Sequence, residues 1–79
     1  MLELFVMSTC PYCKKVMNFM DENNFEYIKS DISNPDNYLK LLTLGGKEQV
    51  PFIVDHDNKK RMYESDLIID YLRNLKEKI

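Results

Sequence analysis

Short apolar blocks and longer amphipathic ones alternate along the chain, and the two periods separate strands from helices. Leu2, Leu4, Phe5 and Val6 form an apolar run that reads as a first, buried strand over residues 2–6. Next, Cys13, Val16, Met17 and Met20 recur at i, i+3, i+4 and i+7, the core-facing stripe of a helix reaching about Asn23. Pro11 suits the first position of that helix, where its missing N–H leaves nothing unpaired. Phe25-Glu26-Tyr27-Ile28-Lys29 alternates as a second strand should. Ser33-Asn34-Pro35-Asp36 opens a second helix containing Tyr38, Leu41, Leu42 and Thr43, and Gly45-Gly46 stops it. Val50-Pro51 opens a third strand, Phe52-Ile53-Val54, and the turn cluster Asp55-His56-Asp57-Asn58 returns the chain as a fourth, Lys60-Arg61-Met62-Tyr63. Ser65 is expected to cap a last helix with Leu67, Ile68, Tyr71, Leu72 and Leu75 on its inner face.

The order is therefore β-α-β-α-β-β-α. Strands joined through a helix pair in parallel and a hairpin adds antiparallel ones, so the pattern predicts a four-stranded mixed sheet flanked by three helices. Seventy-nine residues make a single domain, 1–79, with no internal repeat or linker. Of these residues 44% are apolar and 30% charged, which fits a globular chain and not a disordered one.

Eleven basic and thirteen acidic side chains leave a net charge of −2, without the basic face that nucleic acid requires. No apolar run approaches the roughly 18 residues of a membrane span. Met1-Leu2-Glu3 does not open like a secretion signal, so the expected home is the cytoplasm. In that compartment a Cys-x-x-Cys pair is catalytic or metal-binding more often than structural. Two cysteines and one histidine do not supply four zinc ligands, which leaves redox chemistry.

Cys10-Pro11-Tyr12-Cys13 carries that chemistry. Cys10 lies where the first helix begins, facing unpaired backbone N–H groups and the positive end of the dipole. Such a setting favours thiolate, the nucleophile of disulfide exchange. Cys13 belongs to the buried stripe. The two sulfurs are therefore unequal, Cys10 open to attack and Cys13 sheltered.

With Cys-Pro-Tyr-Cys after strand one, Val50-Pro51 opening strand three and Glu64-Ser65-Asp66 opening the last helix, the chain resembles the glutaredoxins over nearly its whole length. The stretch from Tyr63 to Leu72 also looks like the N-terminal domain of glutathione S-transferases, which share the thioredoxin fold. The resemblance implies a monomeric thioredoxin-like disulfide reductase with glutathione as co-substrate and no bound cofactor. Its partners would be glutathione and disulfide-containing or glutathionylated proteins. It further implies a cis bond before Pro51, which would free the Val50 main chain to pair with the cysteinyl part of glutathione as a short added strand. The start of the last helix would hold the γ-glutamyl carboxylate through Ser65, with Glu64 or Asp66 facing the α-amino group. Tyr12 would cover the tripeptide, and Lys47 and Gln49 would meet its glycyl carboxylate. A solvated loop lysine accounts for Lys47 nearly as well; Lys14 and Lys15, in the first turn of helix one, raise the local positive potential near Cys10, and a solvated helix face explains them equally well. His56 is expected to be an exposed turn residue without a task.

Two positions depart from the glutaredoxin pattern. Met7 stands where many members carry a lysine, and Met62-Tyr63 replaces paired glycines before the last helix. Two other readings compete. One is a redoxin recharged by a flavin reductase, with glutathione incidental. The other is a module holding a [2Fe–2S] cluster between two chains through Cys10 and outside thiols; proline after the first cysteine speaks against it. A detached half of a glutathione S-transferase is weaker still, since such enzymes do not need the second cysteine.

Overall fold

The computed structural model describes residues 1–77 and contains the seven elements in the expected order: β1 (Leu2–Val6), α1 (Pro11–Glu22), β2 (Tyr27–Asp31), α2 (Pro35–Gly45), β3 (Phe52–Asp55), β4 (Lys60–Tyr63) and α3 (Ser65–Glu77). The sheet runs β2-β1-β3-β4. β1 and β2 are parallel, as a helical crossover requires, and β3 and β4 run antiparallel to their neighbours. The fold is thioredoxin-like.

One face of the sheet carries Leu2, Leu4, Val6 and Ile53 against Cys13, Val16 and Met20 of α1 and Ile68, Ile69 and Leu72 of α3. The other carries Phe5, Phe52 and Val54 against Leu41 of α2. β1 is buried along its whole length because both faces are covered. Glu3 lies on the α2 side, only 2% exposed. Its carboxylate accepts from Ser30 Oγ (2.7 Å) and Lys40 Nζ (3.0 Å) and meets His56 Nε2 at 2.9 Å. Burial alone would raise the Glu3 pKa, but these partners outweigh it and hold the group below its ordinary value.

The second strand begins at Tyr27 instead of Phe25. Phe25 is used to end α1: its N–H bonds to Met20 O at 2.9 Å, Asn24 N–H bonds to Asp21 O, and Asn24 adopts a left-handed φ of 59°. This is a Schellman closure, completed by Phe25 stacked on Phe19 with centroids 6.3 Å apart. Ile28, an edge-strand residue, is exposed. The cap of α3 also differs from expectation. Ile68 N–H bonds to Glu64 O at 3.0 Å, so Glu64 holds the capping position and Ser65 is the first residue of the helix. The buried face of α3 is Ser65, Ile68, Ile69 and Leu72, which turns Leu67 outward to 58% exposure. Asp55 completes β3 before the turn begins. His56 is exposed as expected, yet its imidazole is engaged with Glu3.

Among the described residues no helix is long and apolar enough to cross a membrane.

Candidate active site

Sheet register gathers three loops at one end. Phe5, near the C-terminal end of β1, lies opposite Phe52 at the N-terminal end of β3, and Phe52 lies opposite Tyr63 at the C-terminal end of β4. The chain leaving β1, the chain entering β3 and the chain leaving β4 therefore meet at that end. They carry Cys10, Val50-Pro51 and Glu64-Ser65 respectively.

Cys10 is the N-cap of α1, with extended dihedrals (φ −90°, ψ 114°), and Pro11 starts the helix. Its N–H donates to Met7 O at 3.1 Å, which closes the turn out of β1. Cys13 N–H donates to Cys10 Sγ at 3.3 Å, so the sulfur takes the place of a serine or aspartate cap oxygen. Cys10 is partly exposed; Cys13 is fully buried, and both are free thiols. Burial pushes the Cys13 thiol up to about 12, reinforced by the Cys10 sulfur beside it and opposed by a Met7 backbone contact. At neutral pH Cys13 is a thiol.

Beside the thiols lies a cavity of about 340 Å³ lined by Tyr12, Gln49, Val50, Pro51, Glu64, Ser65 and Asp66. These are seven of the eight residues that the resemblance assigns to glutathione. The Val50–Pro51 peptide is cis, and Pro51 is buried. Tyr12 is 62% exposed at the rim. Gln49 Nε2 donates to Glu64 Oε1 at 3.1 Å across the cavity. Glu64 has φ 74°, a left-handed backbone that costs a non-glycine residue on the order of 1 kcal/mol. It turns the chain sharply from β4 into α3, which brings the free N–H groups of the first turn to the cavity. Lys15 Nζ reaches Asp66 Oδ1 at 2.7 Å, tying the first turns of α1 and α3 together. Both partners are exposed, so the pair orients these side chains more than it stabilises the fold.

Lys47 is the expected residue outside the cavity. Its ammonium sits 5.7 Å from the centroid of the Tyr63 ring. Tyr63 itself stands outside the expected set. Its hydroxyl donates to Lys47 O (3.0 Å) and accepts from Lys47 N–H (3.1 Å). The sequence signal for it is faint: an aromatic residue ending a strand just before Glu64-Ser65.

Residues 4–78 match the glutathione S-transferase N-terminal domain family, and the chain belongs to it. No curated protein sequence matches the chain. Among solved structures it is similar to the thioredoxin-like protein BC3987, at 21% identity and a TM-score of 0.81 over 95% of this chain and 99% of that one. It is also similar to glutathione transferase Omega 3C from Trametes versicolor (22% identity, TM-score 0.84, 96% of this chain and 34% of that one). A third likeness is to glutaredoxin 2 from Salmonella typhimurium, solved in complex with glutathione (24% identity, TM-score 0.81, 96% and 34%). The chain thus spans nearly all of the first protein and about a third of the other two. At these identities the likeness establishes a shared fold.

Proposed function

We propose that residues 1–79 form a single glutaredoxin-like domain, a dithiol oxidoreductase that reduces glutathione mixed disulfides and protein disulfides with glutathione as electron donor. The observation that carries this reading is the inequality of the two sulfurs beside the cavity: Cys10 partly exposed at a helix N-terminus, Cys13 buried and protonated. Membership of the glutathione S-transferase N-terminal domain family supports the choice of glutathione, as does the helix start lining the cavity.

In the proposed reaction Cys10 thiolate attacks the glutathione sulfur of a mixed disulfide. The old S–S bond breaks, the substrate leaves as thiolate and takes up a proton, and glutathione remains on Cys10. A second glutathione thiolate then attacks its sulfur, releasing oxidised glutathione and restoring Cys10. With a protein disulfide, Cys13 is the resolving thiol: it loses its proton as it attacks Cys10, leaving an internal Cys10–Cys13 disulfide that two glutathiones reduce. The internal route needs deprotonation of a buried thiol, so it is the slower branch. Ser65 and the α3 N-terminus would hold the γ-glutamyl carboxylate. Glu64 is the better candidate for the α-amino group, because Asp66 is paired with the Lys15 cation whereas Glu64 accepts from the neutral Gln49 amide and keeps its charge uncompensated among the described residues. Val50 would pair with the cysteinyl main chain, and Tyr12 would close over it. A reducing compartment, the cytoplasm, and a monomeric state belong to the same proposal.

The test is turnover of a glutathionylated peptide coupled to glutathione reductase. Cys10→Ser should abolish it. Cys13→Ser should retain much of it while losing reduction of protein disulfides. Equal loss in both variants would overturn the assignment of roles. Lys47, seated over the Tyr63 ring and absent from the cavity lining, together with Met7 in place of a lysine, favours a second reading, in which a flavin reductase recharges the pair. Faster turnover with such a reductase than with glutathione would establish it.

A further inference from the structure

The cavity has two walls that belong to different parts of the fold. One is the start of α3, Glu64 to Asp66; the other is the irregular segment between α2 and β3, which carries Gln49, Val50 and Pro51. That second wall has no ladder of backbone hydrogen bonds to fix it, so something else must hold it at its distance from the first.

Tyr63 meets the requirements. Its hydroxyl bonds both main-chain groups of Lys47, two residues before Gln49, and so fixes the peptide plane on either side of that residue. Its ring is held in turn by Phe52, with centroids 4.5 Å apart, and carries the Lys47 ammonium over its face. Gly45, at the end of α2, is shaped to this ring: a Cβ there would lie 2.0 Å from the Tyr63 hydroxyl and 2.8 Å from Cζ. Along the chain Tyr63 is bonded directly to Glu64, whose carboxylate receives Gln49 Nε2. Two struts, Tyr63–Lys47 and Glu64–Gln49, therefore join the walls side by side. Tyr63 is not among the residues lining the cavity, and neither cysteine is among its hydrogen-bond partners.

We infer that Tyr63 is a positioning residue for substrate recognition: its hydroxyl, seated against Gly45, sets the spacing between the Gln49–Pro51 wall and the helix wall. This rests on the reading of the cavity as the glutathione site. Because the strut does not reach the thiols, its loss should weaken binding without slowing exchange once substrate is bound.

The experiment compares Tyr63→Phe with the unsubstituted protein in steady-state turnover of a glutathionylated peptide, alongside iodoacetamide alkylation of Cys10 and thermal melting. Tyr63→Phe should raise KM about fivefold, the worth of roughly one neutral hydrogen bond, with kcat and the Cys10 alkylation rate within about twofold of the parent. Gly45→Ala should raise KM in the same direction by displacing the ring, and the double variant should fall short of the product of the two effects, since both act on one contact. Unchanged KM in Tyr63→Phe overturns the inference. So does a loss of activity, in kcat and KM together, that follows a lowered melting temperature, which would make the hydroxyl merely structural. If the parent protein itself fails to turn over the peptide, the reading of the cavity falls and takes the inference with it.

Discussion

Replacing Cys10 by serine leaves one thiol in the protein, and its reactivity can be calculated from the structure. Cys13 is wholly buried among Leu4, Val16 and Ile68 and its neighbours, and burial is the first cause of its raised pKa of about 12. That cause remains when Cys10 is gone, while the smaller part supplied by the Cys10 sulfur is lost. At about pH 7.5 a thiol titrating near 12 is ionised in roughly three molecules per 100,000, whereas an ordinary cysteine near 8.5 is ionised in roughly one in ten. That ratio, about 3,000-fold, belongs to the parent protein; Cys10→Ser keeps the part due to burial, so its protection is smaller than this but still large, and steric exclusion adds to it. The assay is alkylation of Cys10→Ser by iodoacetamide, followed by mass spectrometry, in buffer and again in strong denaturant. Unfolding should restore the rate of a free thiol, which gives the reference within the same molecule. A native rate within about tenfold of the denatured one would refute the argument, because Cys13 would then be an accessible nucleophile in its own right. The division of labour between the two sulfurs would fall with it.

Two further outcomes follow from the same structure. Ser65→Ala should raise KM for glutathione substrates by at least roughly tenfold if the Ser65 hydroxyl holds a carboxylate, since a hydrogen bond to a charged group is worth about 1.5–3 kcal/mol; an unchanged KM removes the last helix from the site. Glu3 titrates below its ordinary value in the folded protein, so the unfolded chain binds the proton more readily, and the stability it contributes is present above about pH 4.5 and lost as pH falls through the depressed folded value. Glu3→Gln, which leaves Lys40 and His56 without their anion, should cost on the order of 1–3 kcal/mol at neutral pH and flatten the acid limb. Urea melts at neutral and acid pH check this, and parallel loss of stability in the two proteins would count against the role of Glu3.

Most of the fold is legible in the sequence because its signals are local and redundant. β1 and β4 fall on the expected residues, and Pro35 and Gly46 punctuate α2 as their backbones require. The departures have tertiary causes. Phe25 belongs to the hydrophobic closure of α1, a contact with Phe19 that simple alternation does not reveal. Leu67 carries a hydrophobic side chain but lies off the line through Ser65, Ile68, Ile69 and Leu72 that α1 and the sheet select. Glu3 reads as a polar interruption of an apolar strand, and only the arrival of Ser30, Lys40 and His56 from three other segments makes its burial possible. At the candidate site, motifs identified which residue types would meet. They did not reveal that Lys47 turns to Tyr63, because that choice is made by a ring from β4.

The site depends on the direction of each strand as much as on the residues at its ends. Because β3 runs antiparallel to β1, the residue before Phe52 is delivered to the end of the sheet where β1 releases Cys10. A parallel β3 would send Pro51 to the opposite end, beside Leu2. β4 turns back on β3 and delivers Glu64 and the start of α3 to the same end. Two helices then begin there, α1 at Cys10 and α3 at Ser65, so two sets of unpaired N–H groups face one small volume. Under the proposed function one set would face the Cys10 sulfur and the other the γ-glutamyl carboxylate of the tripeptide. The strand directions thus bring the N-termini of α1 and α3 to one end of the sheet.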